Sequence, residues 1–232
     1  MNESLYGGEG DDKIWLIHPD RRLLDIGTTV SIAKGGEGND RLYGAGDEDR
    51  LYGEAGNDYL NGYEDDDDLY GGDGNDVILG DDGDDTIRGD EGDDKIYGGD
   101  GIDTIHGDDV AGLLFGDDKI SGGAGADMIY GGIGDDKIHG GDDNDTIEGG
   151  SGNDTIYGDA GDDIVTSGAG WDTIFGGDGC DTITSIDGGD VIWLGDCDGS
   201  STGDQKLSIY GTGDDPENFT VVMDFWLVSF WN

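Results

Sequence analysis

Basic side chains are scarce in this chain: eleven Lys and Arg stand against 57 Asp and Glu, a formal net charge of −46 at pH 7 over 232 residues. A field of that sign repels nucleic acid and anionic membrane surfaces and favours cationic partners. Long apolar runs are absent too, and none approaches the roughly 18 residues that a membrane span needs. Met1-Asn2-Glu3-Ser4-Leu5 lacks the basic start and apolar run of a cleaved leader, so the expectation is a cytosolic chain, export by another route, or a fragment whose leader lies elsewhere. Cysteine occurs twice, and Cys180 and Cys197 are compatible with one disulfide or none. The three histidines and two cysteines are scattered, which excludes a soft-ligand zinc cluster. His-Glu-x-x-His is missing, so no zinc protease centre is expected.

Catalytic patterns are thin as well. Gly199-Ser200-Ser201-Thr202-Gly203 matches Gly-x-Ser-x-Gly, but no strand-to-helix turn surrounds it and no histidine follows Ser201 to act as base. Asp65-Asp66-Asp67-Asp68 does not fit the EF-hand loop, which needs glycine, glutamate and flanking helices at set places. Carboxylate pairs abound, yet glycoside hydrolysis needs two in different environments beneath a substrate cleft, which a regular rod does not supply. No catalytic residue is assigned, and the chain is expected not to be an enzyme.

What the chain has is glycine, 50 residues of it, and a period. Eighteen nonapeptide frames can be placed, one from Gly7, an unbroken run from Gly35 to His106 and another from Leu113 to Trp193. Position 6 is Asp in every frame and position 8 is Ile, Leu or Val, as in Gly71-Gly72-Asp73-Gly74-Asn75-Asp76-Val77-Ile78-Leu79. A fixed period of this kind marks a repeat architecture. Positions 1 to 6 read as a turn, because glycine tolerates the positive φ of tight turns. Positions 7 to 9 read as a very short strand whose middle residue points inward. Two frames then make one 18-residue coil, with two parallel sheets facing each other across a thin core of position-8 side chains. About nine coils at about 4.8 Å each give a rod on the order of 45 Å long.

Interruptions matter as much. Residues 16–34 equal two frames plus one residue and place Leu23 and Ile32 at core positions, as two degenerate half-coils of an N-terminal cap. Gly107 to Gly112 is either a six-residue insertion or part of an extra half-coil with Leu114 in its core. After Trp193 the pattern stops, and the strand-like runs Gln205 to Tyr210 and Phe219 to Phe230 are expected to cap the open stack. The expected organisation is a repeat and cap over 1–34, the roll over 35–193 with its irregularity at 107–112, and a C-terminal cap over 194–232. Tyr43, Tyr52, Tyr70, Tyr97, Tyr130 and Tyr157 recur at position 9, facing outward, either shielding sheet or forming a carbohydrate or partner surface.

Glycine loses the most backbone freedom on ordering, and the thin core and crowded carboxylates do not offset that loss. A cation that binds the folded form stabilises it by mass action. Asp40, Asp58, Asp76 and Asp94 stand 18 residues apart and would stack in register, repelling one another until a divalent cation lies between them. Calcium takes six to eight oxygen ligands, backbone carbonyls included, in irregular geometry, whereas magnesium demands a tighter octahedron. Glycine-rich turns offer such carbonyls around each carboxylate.

The frame Gly-Gly-x-Gly-x-Asp-x-aliphatic-x resembles the nonapeptide of the repeats-in-toxin (RTX, hemolysin-type) family of calcium-binding proteins, over about two thirds of the chain. The resemblance implies an all-β fold, a right-handed parallel β-roll or two-sheet β-helix, largely unfolded without calcium and folding where calcium is high outside the cell. It implies ions held between successive turns by the position-6 Asp of frames two apart together with backbone carbonyls. The ligands implied are Asp12, Asp40, Asp49, Asp58, Asp67, Asp76, Asp85, Asp94, Asp103, Asp118, Asp127, Asp136, Asp145, Asp154, Asp163, Asp172, Asp181 and Asp190. Asp47, Asp65 and Asp143 depart from the pattern by replacing the position-4 glycine, which alters the expected turn and ion affinity there. One ion per pair within each unbroken run gives about 13 Ca2+, taking the charge from −46 to about −20.

Export in this family resembles one-step secretion by an uncleaved C-terminal signal, which Asp224-Phe225-Trp226-Leu227-Val228 fits loosely; a plain cap strand accounts for it equally. The resulting expectation is a secreted, non-enzymatic calcium-binding module with a structural, adhesive or folding role, compatible with a cell-surface or matrix partner. The alternatives are the calcium-binding part of a larger secreted lipase, protease or polysaccharide-modifying enzyme, and a calcium buffer or sensor. Cys180 at position 5 falls near Cys197 one coil later, so a disulfide locking the C-terminal coil is compatible with the stacking.

Overall fold

The structure is a computed structural model that describes residues 4–16, 31–108, 116–186, 189–195, 206–209 and 220–222. His18, Leu23, Leu114, Cys197, Ser201 and the segment from Asp224 onward lie outside the described residues. The described strands alternate between two parallel sheets of eleven strands each, every strand pairing with the strand two along the chain. Ile78 faces Ile96 in one sheet and Ile129 faces Ile147 in the other, so like positions of successive coils stack. All eighteen position-8 side chains are buried, and from Leu42 to Ile192 none is more than 2% exposed. They form one apolar column between the sheets. No helix among the described residues is long and apolar enough to cross a membrane.

Strands run longer than the three residues expected. Val77–Asp82 and Lys137–Asp142 each span six residues, so pairing continues through positions 1 to 3 of the next frame and only positions 4 to 6 turn. Within this extension Gly99 pairs with Gly123 and, elsewhere in the stack, Tyr63 with Asp81, so the longer pairing holds with or without glycine at position 2.

Both interruptions keep the stack continuous. Across the first, Leu5 pairs with Ala33 and Ile14 with Leu42, with no described strand between them. Here the expected core place of Ile32 is corrected: Ala33 is fully buried and Ile32 is half-buried on the other face. The register is set by Ser31–Glu37 pairing with the coil above, Ala33 against Leu51 and Gly36 against Glu54. A slip of one residue would turn every side chain of that strand to the wrong face, and this outweighs the extra apolar area of isoleucine. Across the second interruption Ile96 pairs with Ile120 and Ile105 with Ile129, each 24 residues apart instead of 18, so six residues are inserted into one turn. At the far end Lys206–Ile209 pairs with Thr182–Ser185 and Thr220–Val222 pairs with Val191–Trp193, adding the eleventh strand to each sheet.

Outward-facing rings stack on one another along the rod. His139, Tyr157, Phe175 and Trp193 form a column with centroids 4.3, 4.7 and 4.4 Å apart, and Tyr52 stacks on Tyr70 at 4.9 Å between Lys34 and Arg88. Ring faces in these columns are thereby occupied by neighbouring rings.

Candidate metal centre

Position 6 closes each turn, immediately before the inward residue pair begins, and this places the Asp side chain inside the coil edge. Of the eighteen, all but Asp12 are buried, and Asp12 is half-buried. Each carboxylate bridges two coils: the Asp58 N–H donates to Asp76 Oδ1 at 2.7 Å, Asp76 N–H to Asp94 Oδ1 at 2.7 Å and Asp136 N–H to Asp154 Oδ1 at 2.9 Å. The ladder starts at Asp12, whose N–H donates to Asp40 Oδ1, and ends at Asp190, which accepts from Asp172. On the opposite edge a like ladder runs from Asp49 to Asp181, and both cross the six-residue insertion unbroken, the first through Asp94 to Asp118 and the other through Asp103 to Asp127, both 2.8 Å.

That arrangement uses one oxygen of each carboxylate. The other, Oδ2, is buried without a hydrogen-bond partner at Asp40, Asp58, Asp67, Asp76, Asp85, Asp94 and Asp103, and again at Asp118, Asp127, Asp136, Asp145, Asp154, Asp163 and Asp181. Buried polar atoms without partners are rare, and each calls for a ligand or an ion. From Asp58 to Asp181 in this row, burial is the largest cause holding the carboxyls above the ordinary aspartate range, with the inter-coil N–H opposing it and neighbouring carboxylates adding to it. Asp76, Asp103 and Asp154 are pushed up to about 7, and Asp67, Asp94 and Asp136 to about 8.

Oxygen atoms also line the space around each carboxylate. A Cβ on Gly71 would lie 2.2 Å from Asp76 Oδ2 and 2.6 Å from the Gly89 carbonyl of the next coil, so a side chain there would displace both oxygens. At position 4, Gly74 has φ +124°, and a Cβ there would meet the Gly56 carbonyl at 2.1 Å. Carboxylate oxygens and stacked carbonyls therefore share each turn edge. No three His, Cys, Asp or Glu side chains converge among the described residues. An ion at these edges would draw most of its ligands from carbonyls, a donor set that suits a hard cation such as calcium.

Two turns differ in how the second oxygen is used. Asp49 Oδ2 accepts the Ala45 N–H at 2.7 Å in the turn that carries Asp47 at position 4. Asp190 Oδ2 accepts the hydroxyls of Ser185 and Ser167, which stand at position 1 in place of glycine. Asp65 and Asp143, in contrast, keep the left-handed turn conformation at φ +74° and +75° despite lacking glycine.

A second ladder was not anticipated. At position 5, Asn57 N–H donates to Asn39 Oδ1, Asn75 N–H to Asn57 Oδ1 and Asp135 N–H to Asp117 Oδ1, running in the opposite sense on the outer side of the turn. The prevalence of Asn and Asp at position 5 was the available signal. Cys180 takes part through its N–H, which donates to Asp162 Oδ1 at 2.7 Å. Cys180 is disulfide-bonded; its expected partner, Cys197, lies outside the described residues.

These features define a class, the parallel β-solenoid repeat protein with carboxylate-lined turns. The profile of the RTX calcium-binding nonapeptide repeat (4 copies) matches residues 1–16, 32–60, 43–78, 70–105, 114–147, 139–173, 148–183 and 166–196, well over half of the chain. The chain belongs to the RTX calcium-binding repeat family, as a β-roll module. No curated protein matches it.

Proposed function

We propose that this chain is a secreted, non-enzymatic β-roll that folds as it binds calcium between its coils and serves as a structural, adhesive or folding module. The observation that carries the reading is the row of buried Oδ2 atoms without hydrogen-bond partners, repeated coil after coil. A folded roll that leaves so many carboxylate oxygens dehydrated is costly without cations and stable with them. The eighteen position-6 Asp residues are the proposed ligands, each ion shared by Asp of successive coils on one edge and by turn carbonyls. Because the ladders cross both interruptions, the pairs Asp12 with Asp40, Asp94 with Asp118 and Asp103 with Asp127 add three ions to the thirteen counted within the unbroken runs.

Far-UV circular dichroism, titrated with calcium and then with chelator, tests the proposal. The expected result is a disordered spectrum in chelator and a cooperative gain of β signal with calcium. A spectrum already β-rich in chelator and unmoved by calcium would refute calcium-driven folding.

A further inference from the structure

Asp108 occupies position 2 of the interrupted frame, directly after Gly107. In neighbouring coils the position-2 carbonyl faces the α-carbon of the position-2 glycine of the next coil: a Cβ on Gly123 would meet the Gly99 carbonyl at 2.1 Å, and one on Gly150 would meet the Gly132 carbonyl at 2.0 Å. Gly132 departs from this rule. A Cβ there would first meet the side chain of Asp108, with Oδ2 at 2.3 Å.

The hydrogen bonding changes in the same way. In a parallel ladder the N–H of a position-3 residue donates to the position-2 carbonyl of the coil before. The Ile133 N–H donates instead to Asp108 Oδ2, at 2.5 Å. The strand Thr104–His106 stops three residues short of its neighbours, and the Asp108 carboxylate continues the ladder in place of its own carbonyl. This side chain is 4% exposed.

Its surroundings point to an ion. On the same turn edge lie Asp94, Asp118 and Asp136, each with Oδ2 buried and without a hydrogen-bond partner. Asp108 adds a further buried carboxylate, and with it like-charge repulsion, to this stretch of the edge. Replacing a neutral carbonyl by a carboxylate worsens that repulsion unless a cation sits beside it, and then it strengthens the site.

We infer that Asp108 is a calcium ligand peculiar to the interrupted coil, its carboxylate standing where other coils offer a main-chain carbonyl. The insertion therefore marks a site of higher charge in the row instead of a gap. This rests on the calcium reading above, and the experiment separates the two. Native mass spectrometry of the whole chain counts ions per molecule as free calcium is lowered, for the wild type, Asp108→Asn and Asp108→Gly. Asparagine keeps an oxygen for the Ile133 N–H and removes the charge; glycine is the commonest residue at position 2 of the other frames, as at Gly99, Gly123 and Gly132. Both variants are expected to lose one ion at a free calcium concentration at least about tenfold higher than the wild type, with the other ions unchanged. If either variant, shown by circular dichroism to be folded in saturating calcium, keeps every ion as tightly as the wild type, Asp108 is a hydrogen-bond acceptor only and the inference fails. A wild type that binds no calcium overturns the calcium reading itself.

Discussion

The turns ending at Asp76 and at Asp49 obey the same nine-residue rule, yet they treat the second carboxylate oxygen differently. Asp76 Oδ2 is buried without a hydrogen-bond partner beside glycine α-carbons and carbonyls, whereas Asp49 Oδ2 is taken by the Ala45 N–H of its own turn. The difference lies in positions 2 and 4. Gly72 and Gly74 adopt φ +112° and +124°, while Ala45 and Asp47, in the corresponding places of the other turn, do not take positive φ. An Asp every nine residues is thus necessary but not sufficient: the backbone around it decides whether its oxygen is left for an ion or satisfied locally. Asp190 teaches the same lesson by another route, since Ser185 brings a hydroxyl to the place that glycine leaves open.

Three experiments break or sharpen this contrast. The largest effect is expected from removing a carboxylate in a regular turn: Asp154→Ala should weaken both ions that Asp154 shares with Asp136 and Asp172, while the remote coils keep theirs, because each coil contacts only its neighbours. Asp49→Ala should cost fewer ions, and calcium counted by mass spectrometry on both variants compares them directly. Equal losses would erase the distinction between the two turns.

Acidity should act next, with a sign that depends on calcium. Folded-state carboxyls at about 7 to 8 lie above the unfolded value, so the ion-free roll binds protons on folding. Its stability is therefore fully present only below about pH 4 and is lost as pH rises through about 7 to 8. In chelator, lowering the pH from 8 to 5 should raise β signal by circular dichroism. With calcium the direction reverses: the ion needs the ionised carboxylate, so affinity should fall below about pH 7 and binding should release protons, measurable by calorimetry in buffers of different ionisation enthalpy.

The smallest effect is a gain. Ala45→Gly combined with Asp47→Gly restores the regular frame before Asp49, frees its second oxygen, and should add or tighten one ion in the same count. No change in that count would mean that positions 2 and 4 do not govern the site.

Much of this was legible in the chain itself. Position 8 as core and position 6 as an inter-coil residue follow from the period alone, because a coil of two frames forces like positions to stack. Ile32 misled because apolarity favours it over Ala33, and only strand pairing, a tertiary fact, sets which of the two turns inward. The insertion at 107–112 was ambiguous for the same reason, since counting residues cannot show which strands pair across it. Asp49 and Asp76 are indistinguishable by residue type, and what separates them is backbone conformation two to four residues earlier.

The central claim is that each buried pair of position-6 Asp residues shares a calcium ion, and the most direct measurement is the number of ions on the folded chain, counted by native mass spectrometry in saturating calcium. The account predicts more than ten, close to sixteen. One or two bound ions on a folded roll would contradict it.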